Sequence, residues 1–285
     1  MKLCRFDGNR LGVVEGEVLR DVTAVTDALP ALRWPLPPGD LLIAQLPALL
    51  PRIAELAATA PAVPLAGVRL DSPVANPNKI IAAPVNYHKH IEESRADPGI
   101  HFGSDVKAID HYGLFLKANS SLVGPSAGVP ITRPDRRTDH EIELAVIIGQ
   151  GGYRIPEERA LAHVAGYAIG LDMTIRGTED RSYRKSFDGF TVLGPWLVTP
   201  EEVPDPDNLD FRLEVGGEVR QQSNTRHLIF GVRKLIAFAS AAYTLFPGDI
   251  LLTGTPEGVG PVKPGDVMRC WIERIGEMTV AVRAG

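Results

Sequence analysis

Apolar residues run almost unbroken from Asp139 to Gly149, DHEIELAVIIG, yet Glu141 and Glu143 stand inside the run two places apart. Side chains alternate between the faces of a strand. Glu141, Glu143, Ala145 and Ile147 therefore share one face, and Ile142, Leu144, Val146 and Ile148 share the other. Both faces look at least partly buried. A solvated edge strand would let the acids meet water. Burial would instead require a metal, lysine or arginine between the carboxylates, because an unpaired buried charge costs several kcal/mol.

The same pattern reading extends along the chain. Residues 1–22, MKLCRFDGNRLGVVEGEVLRDV, alternate around Gly8, Gly12 and Gly16 and predict short hairpin strands. Residues 39–60, GDLLIAQLPALLPRIAELAATA, have helical spacing interrupted by Pro47 and Pro51, which predicts two short helices. The Pro- and Ala-rich stretch 60–77 reads as a linker, with a small N-terminal domain over residues 1–70 and a main domain over 71–285. The main domain is strand-rich, with turn signals such as Gly151-Gly152, Gly216-Gly217 and Pro264-Gly265. One helix is expected to open at Pro156, a favoured first-turn proline ahead of EERALAHV, and another to cover roughly 227–243.

Another apolar strand, VAGYAIGLDM, closes on Asp172. Alone, such an acid reads as a turn-former or helix cap. Joined to Glu141 and Glu143 it becomes a third hard oxygen ligand. Three carboxylates without a cysteine suit Mg²⁺, Mn²⁺ or Ca²⁺ better than Zn²⁺.

Composition narrows the function classes. The 285 residues are 44% hydrophobic and 23% charged, ordinary for a globular protein. A net charge of −5 and a pI of about 5.8 give no electrostatic footprint for nucleic acid or an anionic membrane. No run approaches a membrane span and the first residues carry no apolar signal core, so a cytoplasmic location is expected. Cys4 and Cys270 form neither a metal-ligand spacing nor a disulfide framework.

A second polar cluster is APVNYHKHIEES, residues 83–94. One helical turn would bring His90 and Glu93 together as a base oriented by an acid, although surface helices make such pairs by chance. A zinc site from His88 and His90 with His101 or His111 competes for the same residues, without a fixed ligand spacing. The segment from Ile91 to His111, with Pro98-Gly99 and Gly103, reads as a loop able to close over a substrate.

Taken in order, NYHKHIEE, LFLKANSSLVGP, the Glu141-Glu143 pair with Asp172, RKSFDGFTVLGPWLVT and LLTGTPEGVG resemble the motifs of the fumarylacetoacetate hydrolase superfamily over roughly residues 78–280. The resemblance implies an α+β, mostly β fold: a mixed β-roll or sandwich catalytic domain with a small N-terminal domain, usually a homodimer. It implies Mg²⁺, or Mn²⁺ or Ca²⁺, on Glu141, Glu143 and Asp172. His90 and Glu93 would activate water, and Lys185 would be the cation beside the metal. Tyr87, Lys117, Arg176, Glu179 and Thr255 would contact the substrate. The implied reaction is hydrolysis of a carbon–carbon bond in an acylpyruvate or related β-diketo acid, a small-molecule partner rather than nucleic acid or membrane. A 2-oxo acid decarboxylase, isomerase or hydratase is the alternative, and a non-catalytic small-molecule binding protein a second.

The chain departs from the pattern after Asp172. Relatives read V-S-A-R-D-x-Q where this chain reads MTIRGTE, which keeps Arg176 but places Gly177 and Glu179 at the Asp and Gln positions. An ionised Glu179 about 4 Å from a substrate carboxylate would cost roughly 4 kcal/mol at an effective dielectric near 20. Glu179 is therefore expected to pair with Arg176, Arg181 or Arg184, or to face an uncharged acyl group, with such acylpyruvates preferred over fumaryl-type diacids.

Overall fold

The computed structural model describes all 285 residues. The alternation near the N-terminus forms three antiparallel strands, Lys2–Phe6, Arg10–Glu15 and Val18–Asp21. The break expected at Pro47 and Pro51 does not occur, and one helix runs over Leu41–Thr59. Its N-terminus is capped by Asp40, whose carboxylate accepts the Ile43 N–H at 3.1 Å. Both prolines are exposed, while Ile43, Leu46, Leu49, Ile53 and Ala57 bury the opposite face. Burying four large aliphatic side chains at about 1.5–3 kcal/mol each outweighs two interior prolines at about 3 kcal/mol each. By length and composition this helix could also cross a membrane; here its apolar stripe packs inside the protein.

The other two expected helices are shortened. Glu157–His163 is a 3₁₀ helix with Pro156 just outside it. The C-terminal helix begins only at Val232 and ends at Ala242, because a 3₁₀ turn, Thr225–His227, and Gly231 precede it.

A sheet of 12 strands organises the molecule. Its centre runs Thr191–Val198, Val164–Asp172, Ile142–Ile148, Ile250–Leu252, Ile80–Ala82 and Phe115–Lys117. Leu122–Val123 then pairs in parallel with Thr191–Val198, so the sheet curls back on itself. The result is the mostly β, α+β fold expected from the resemblance. The N-terminal strands join the same sheet through Lys2–Phe6, which pairs with both Thr191–Val198 and Leu70–Asp71. Hydrogen bonding thus passes straight across the boundary drawn at residue 70, and residues 1–70 share their core with the rest.

The alternation of Ile142–Ile148 is visible in its packing, since every residue of the strand is buried. Ile142, Leu144, Val146 and Ile148 enter a core shared with a five-stranded sheet that includes Asp210–Val215 and Val267–Ile272. Ala145 and Ile147 enter a second core with Ile43, Ile53 and Leu252. The start of this strand lies beside the ends of Val164–Asp172 and Ile250–Leu252. Chain ends from neighbouring strands converge there, and that convergence builds the site.

Candidate active site

Glu141 occupies the break between Thr138–His140 and Ile142–Ile148, Glu143 follows on the strand, and Asp172 ends Val164–Asp172. The backbone N–H of Asp172 donates to the Glu141 carbonyl at 2.9 Å, locking the two strand ends together. All three carboxylates are buried, and their ligand oxygens lie within 4.8 Å of one another.

Cations balance two of the three. Lys185 Nζ donates to Glu141 Oε2 and to Asp172 Oδ2, each at 2.6 Å. Lys117 Nζ donates to Asp172 Oδ1 and, at 2.9 Å, to the Phe190 carbonyl. Arg176 bridges Asp139 at 2.7 Å and Glu141 at 2.9 Å. Burial pushes the Glu141 carboxyl up, but Lys185 and Arg176 overcome it and hold the group well below the usual carboxylate range. Glu143 has no cation of its own. Its Oε2 accepts only the Gly254 N–H at 2.6 Å. Burial, reinforced by the charge of Asp172, pushes Glu143 well up. Three hard oxygen donors, one lacking a counter-charge, fit a hard divalent cation. His88, His90, His101 and His111 form no comparable group, which removes the zinc reading.

His90 is buried on the helix His88–Ala96, and its Nδ1 meets Glu93 Oε2 at 2.9 Å. With Glu93 accepting, Nδ1 carries the proton and Nε2 is the basic nitrogen. The other Glu93 oxygen, Oε1, accepts the Gly258 N–H at 2.8 Å. Gly258 has φ +93°, and a Cβ there would overlap the Arg220 carbonyl oxygen. The GTPEGVG turn therefore orients the dyad acid through a position that only glycine fits. Asn86 pins the preceding loop, donating to the Phe230 carbonyl at 2.9 Å and to the Thr253 carbonyl at 2.8 Å.

A cavity of about 280 Å³ brings together His90, Glu141, Glu143, Arg176, Glu179, Lys185 and Thr255. The expected closing segment covers it as short helices, His88–Ala96, Pro98–His101 and Ile109–Tyr112. Arg137 ties it down by an ion pair to Asp97 at 2.9 Å. Tyr87 is not brought to this cavity: it is buried edge-on against Phe211, with ring centroids 6.3 Å apart, because its strand-like backbone turns it into the core. Lys117 and Asp172 lie behind the wall, where Lys117 holds Asp172 in place. Thr255 does line the cavity, although its hydroxyl already donates to the Ile142 carbonyl at 2.9 Å and accepts from Gln221 at 2.8 Å.

Glu179 takes a different partner from those expected. Arg136 grips it with both guanidinium nitrogens at 2.6 and 2.8 Å and also donates to the Arg176 carbonyl at 2.7 Å. A Cβ at Gly177 would overlap Arg136 Nη2, so the departures at Gly177 and Glu179 belong to one arrangement. Arg136 and Gln221 are the site side chains that motif reading missed. The only sequence signal for Arg136 was the missing side chain at Gly177.

Comparison with known proteins agrees with this geometry. The C-terminal fumarylacetoacetate (FAA) hydrolase family matches over residues 79–283, and the chain belongs to that family. It is 56% identical to the maleylpyruvate hydrolase of Aquipseudomonas alcaligenes over 286 residues, covering 100% of both chains. A solved maleylpyruvate hydrolase from Sphingobium sp. SYK-6, in complex with manganese(II) ion and pyruvate, is 43% identical with a TM-score of 0.84 and full coverage of both chains. The mitochondrial oxaloacetate tautomerase FAHD2A of Homo sapiens is 38% identical over 234 residues, 78% of this chain and 71% of that protein.

Proposed function

We propose that this chain is a metal-dependent hydrolase that cleaves the carbon–carbon bond of an acylpyruvate, releasing pyruvate and a carboxylic acid. The observation that carries the reading is the buried Glu141, Glu143 and Asp172 group, whose two glutamates open onto the same cavity as His90. The relatives named maleylpyruvate hydrolase, one with manganese and pyruvate bound, support it. A divalent cation held by the three carboxylates, Mg²⁺ or Mn²⁺, would supply Lewis-acid chemistry. His90 Nε2 takes a proton from water as its oxygen attacks the distal carbonyl carbon. The bond from that carbon to the methylene breaks, and its electron pair forms the enolate of pyruvate. Lys185 Nζ stabilises the negative charge that develops. His90 then returns its proton to the leaving carbon, which restores the base. Glu93 holds the imidazole, and Arg176 holds Glu141. A homodimer in the cytoplasm belongs to the same reading.

The test uses chelator-treated enzyme with acetylpyruvate or maleylpyruvate. Diketo absorbance should fall, and pyruvate should accumulate one for one, only after Mg²⁺ or Mn²⁺ is restored. Absorbance loss without pyruvate would replace hydrolysis by a tautomerase or isomerase reaction on the same scaffold.

A further inference from the structure

Most cations around the cavity are already paired. Arg176 is taken by Asp139 and Glu141, Lys185 by Glu141 and Asp172, and Arg136 by Glu179. Arg184 and Arg181, on the single turn Arg181–Arg184, make no ion pair although both line the cavity. Arg181 lies over the Tyr112 ring at 4.2 Å. Arg184 donates its Nε–H to the Glu179 carbonyl at 3.2 Å, but Nη1 is shut off from solvent without any acceptor. A guanidinium carries five N–H donors and a charge that it does not shed. Keeping the Nη1 donors of this half-buried side chain away from both water and an acceptor is costly unless an anion arrives.

The acid best placed to quench Arg184 is Glu179, whose backbone it already touches. The Arg136 clamp takes both carboxylate oxygens of Glu179, and Gly177 gives Arg136 the room to do so. Asp180, the N-cap of this turn, turns Oδ1 to the Ser182 N–H at 2.7 Å and makes no ion pair with Arg184. The arrangement pairs the Glu179 charge with Arg136 and leaves Arg184 in the cavity wall without a carboxylate partner.

We propose that Arg184, supported by the positive field of Arg181, receives a second carboxylate on the acyl end of the substrate, so that the enzyme selects dianionic acylpyruvates over acylpyruvates with uncharged acyl groups. This rests on the hydrolytic reading above and reverses the selectivity expected from an unpaired Glu179. Arg184 contacts the substrate away from the reacting carbons and sets specificity rather than the chemical step.

The experiment compares kcat/KM for maleylpyruvate, a diacid, and acetylpyruvate, a monoacid, in Mn²⁺-loaded wild type, Arg184→Gln and Arg184→Lys. Wild type should favour the diacid. Arg184→Gln should lower the diacid-to-monoacid ratio by roughly 10–10²-fold, mainly through KM, as expected for losing a charge-assisted fork to a carboxylate. Arg184→Lys keeps the charge without the fork and should fall between the two. If Arg184→Gln fails to fold, Arg184→Lys decides alone, and an unchanged ratio overturns the proposal. Proportional loss on both substrates would also overturn it, since that marks a merely structural role, while leaving the hydrolytic reading intact. Wild-type enzyme that cleaves neither acid would sink the hydrolytic reading and this inference together.

Discussion

Glu93 spends both carboxylate oxygens inside the protein, one on His90 and one on the Gly258 N–H, and touches none of the three acids proposed to hold metal. His90→Ala and Glu93→Gln should therefore bind Mn²⁺ much as wild type does while kcat falls by roughly 10²–10⁴, the range for a lost general base. Loss of Mn²⁺ affinity in a titration would make the pair ligands instead. Glu179 answers a question of pH. Arg136 pulls its carboxyl from the ordinary 4.5 down to about 2. The depressed value means that the clamp is fully present above pH 4.5 and is lost only as pH falls through about 2. Diacid-to-monoacid selectivity should then show no step from Glu179 between roughly pH 5 and 9, measured as the ratio of kcat/KM. A step near pH 4–5 that vanishes in Glu179→Gln would mean the clamp is open in solution. Residue types and spacing alone pointed to Glu141, Glu143, Asp172, His90 and Glu93 as candidates. Arg136 could not be read this way, because its reach to Glu179 depends on an absent side chain at Gly177.

Alternation made the strand Ile142–Ile148 legible before any fold was known, since a side-chain period of two assigns each of its apolar residues to one of two cores. Helices were less legible. Pro47 and Pro51 are local signals for a break, and the burial that overrides them involves Val25 and Ile80, which lie far from the helix in sequence. The competition between local and long-range effects can be measured. Pro47 is exposed and leaves the Ile43 carbonyl without its helical donor. Pro47→Ala should restore that hydrogen bond, offset in part by a looser unfolded chain. A net gain of about 1–2 kcal/mol is expected, seen as a Tm higher by several degrees. An unchanged or lower Tm would mean that the helix has relaxed around the proline.

On the scale of the whole molecule, the acids sit where one strand, buried on both sides, meets the ends of its neighbours, so the site draws its rigidity from both cores and its electrostatic cost falls on the fold. Four buried carboxylates, Asp139, Glu141, Glu143 and Asp172, meet Arg137, Arg176, Lys117 and Lys185, but the pairing is uneven: Asp139 takes two arginines and Glu143 takes no cation. Without metal, Glu143 is therefore a buried carboxyl close to two others, with burial and Asp172 both opposing its ionisation. Glu143→Gln keeps the shape and can still accept the Gly254 N–H while removing the charge. Metal-free Glu143→Gln should be more stable than metal-free wild type, by roughly 1–3 kcal/mol, the scale on which neutral replacement of buried charges stabilises proteins. Saturating Mn²⁺ should reverse the order. At a hundredfold excess over its Kd, the ion should stabilise wild type by about 2.7 kcal/mol and the variant far less, because the variant has lost a ligand. Thermal melts of both proteins, with chelator and with Mn²⁺, give four Tm values that check the crossing. If Glu143→Gln melts below wild type in chelator, Glu143 is not a strained charge waiting for a cation. If Mn²⁺ raises both proteins equally, Glu143 does not hold the metal.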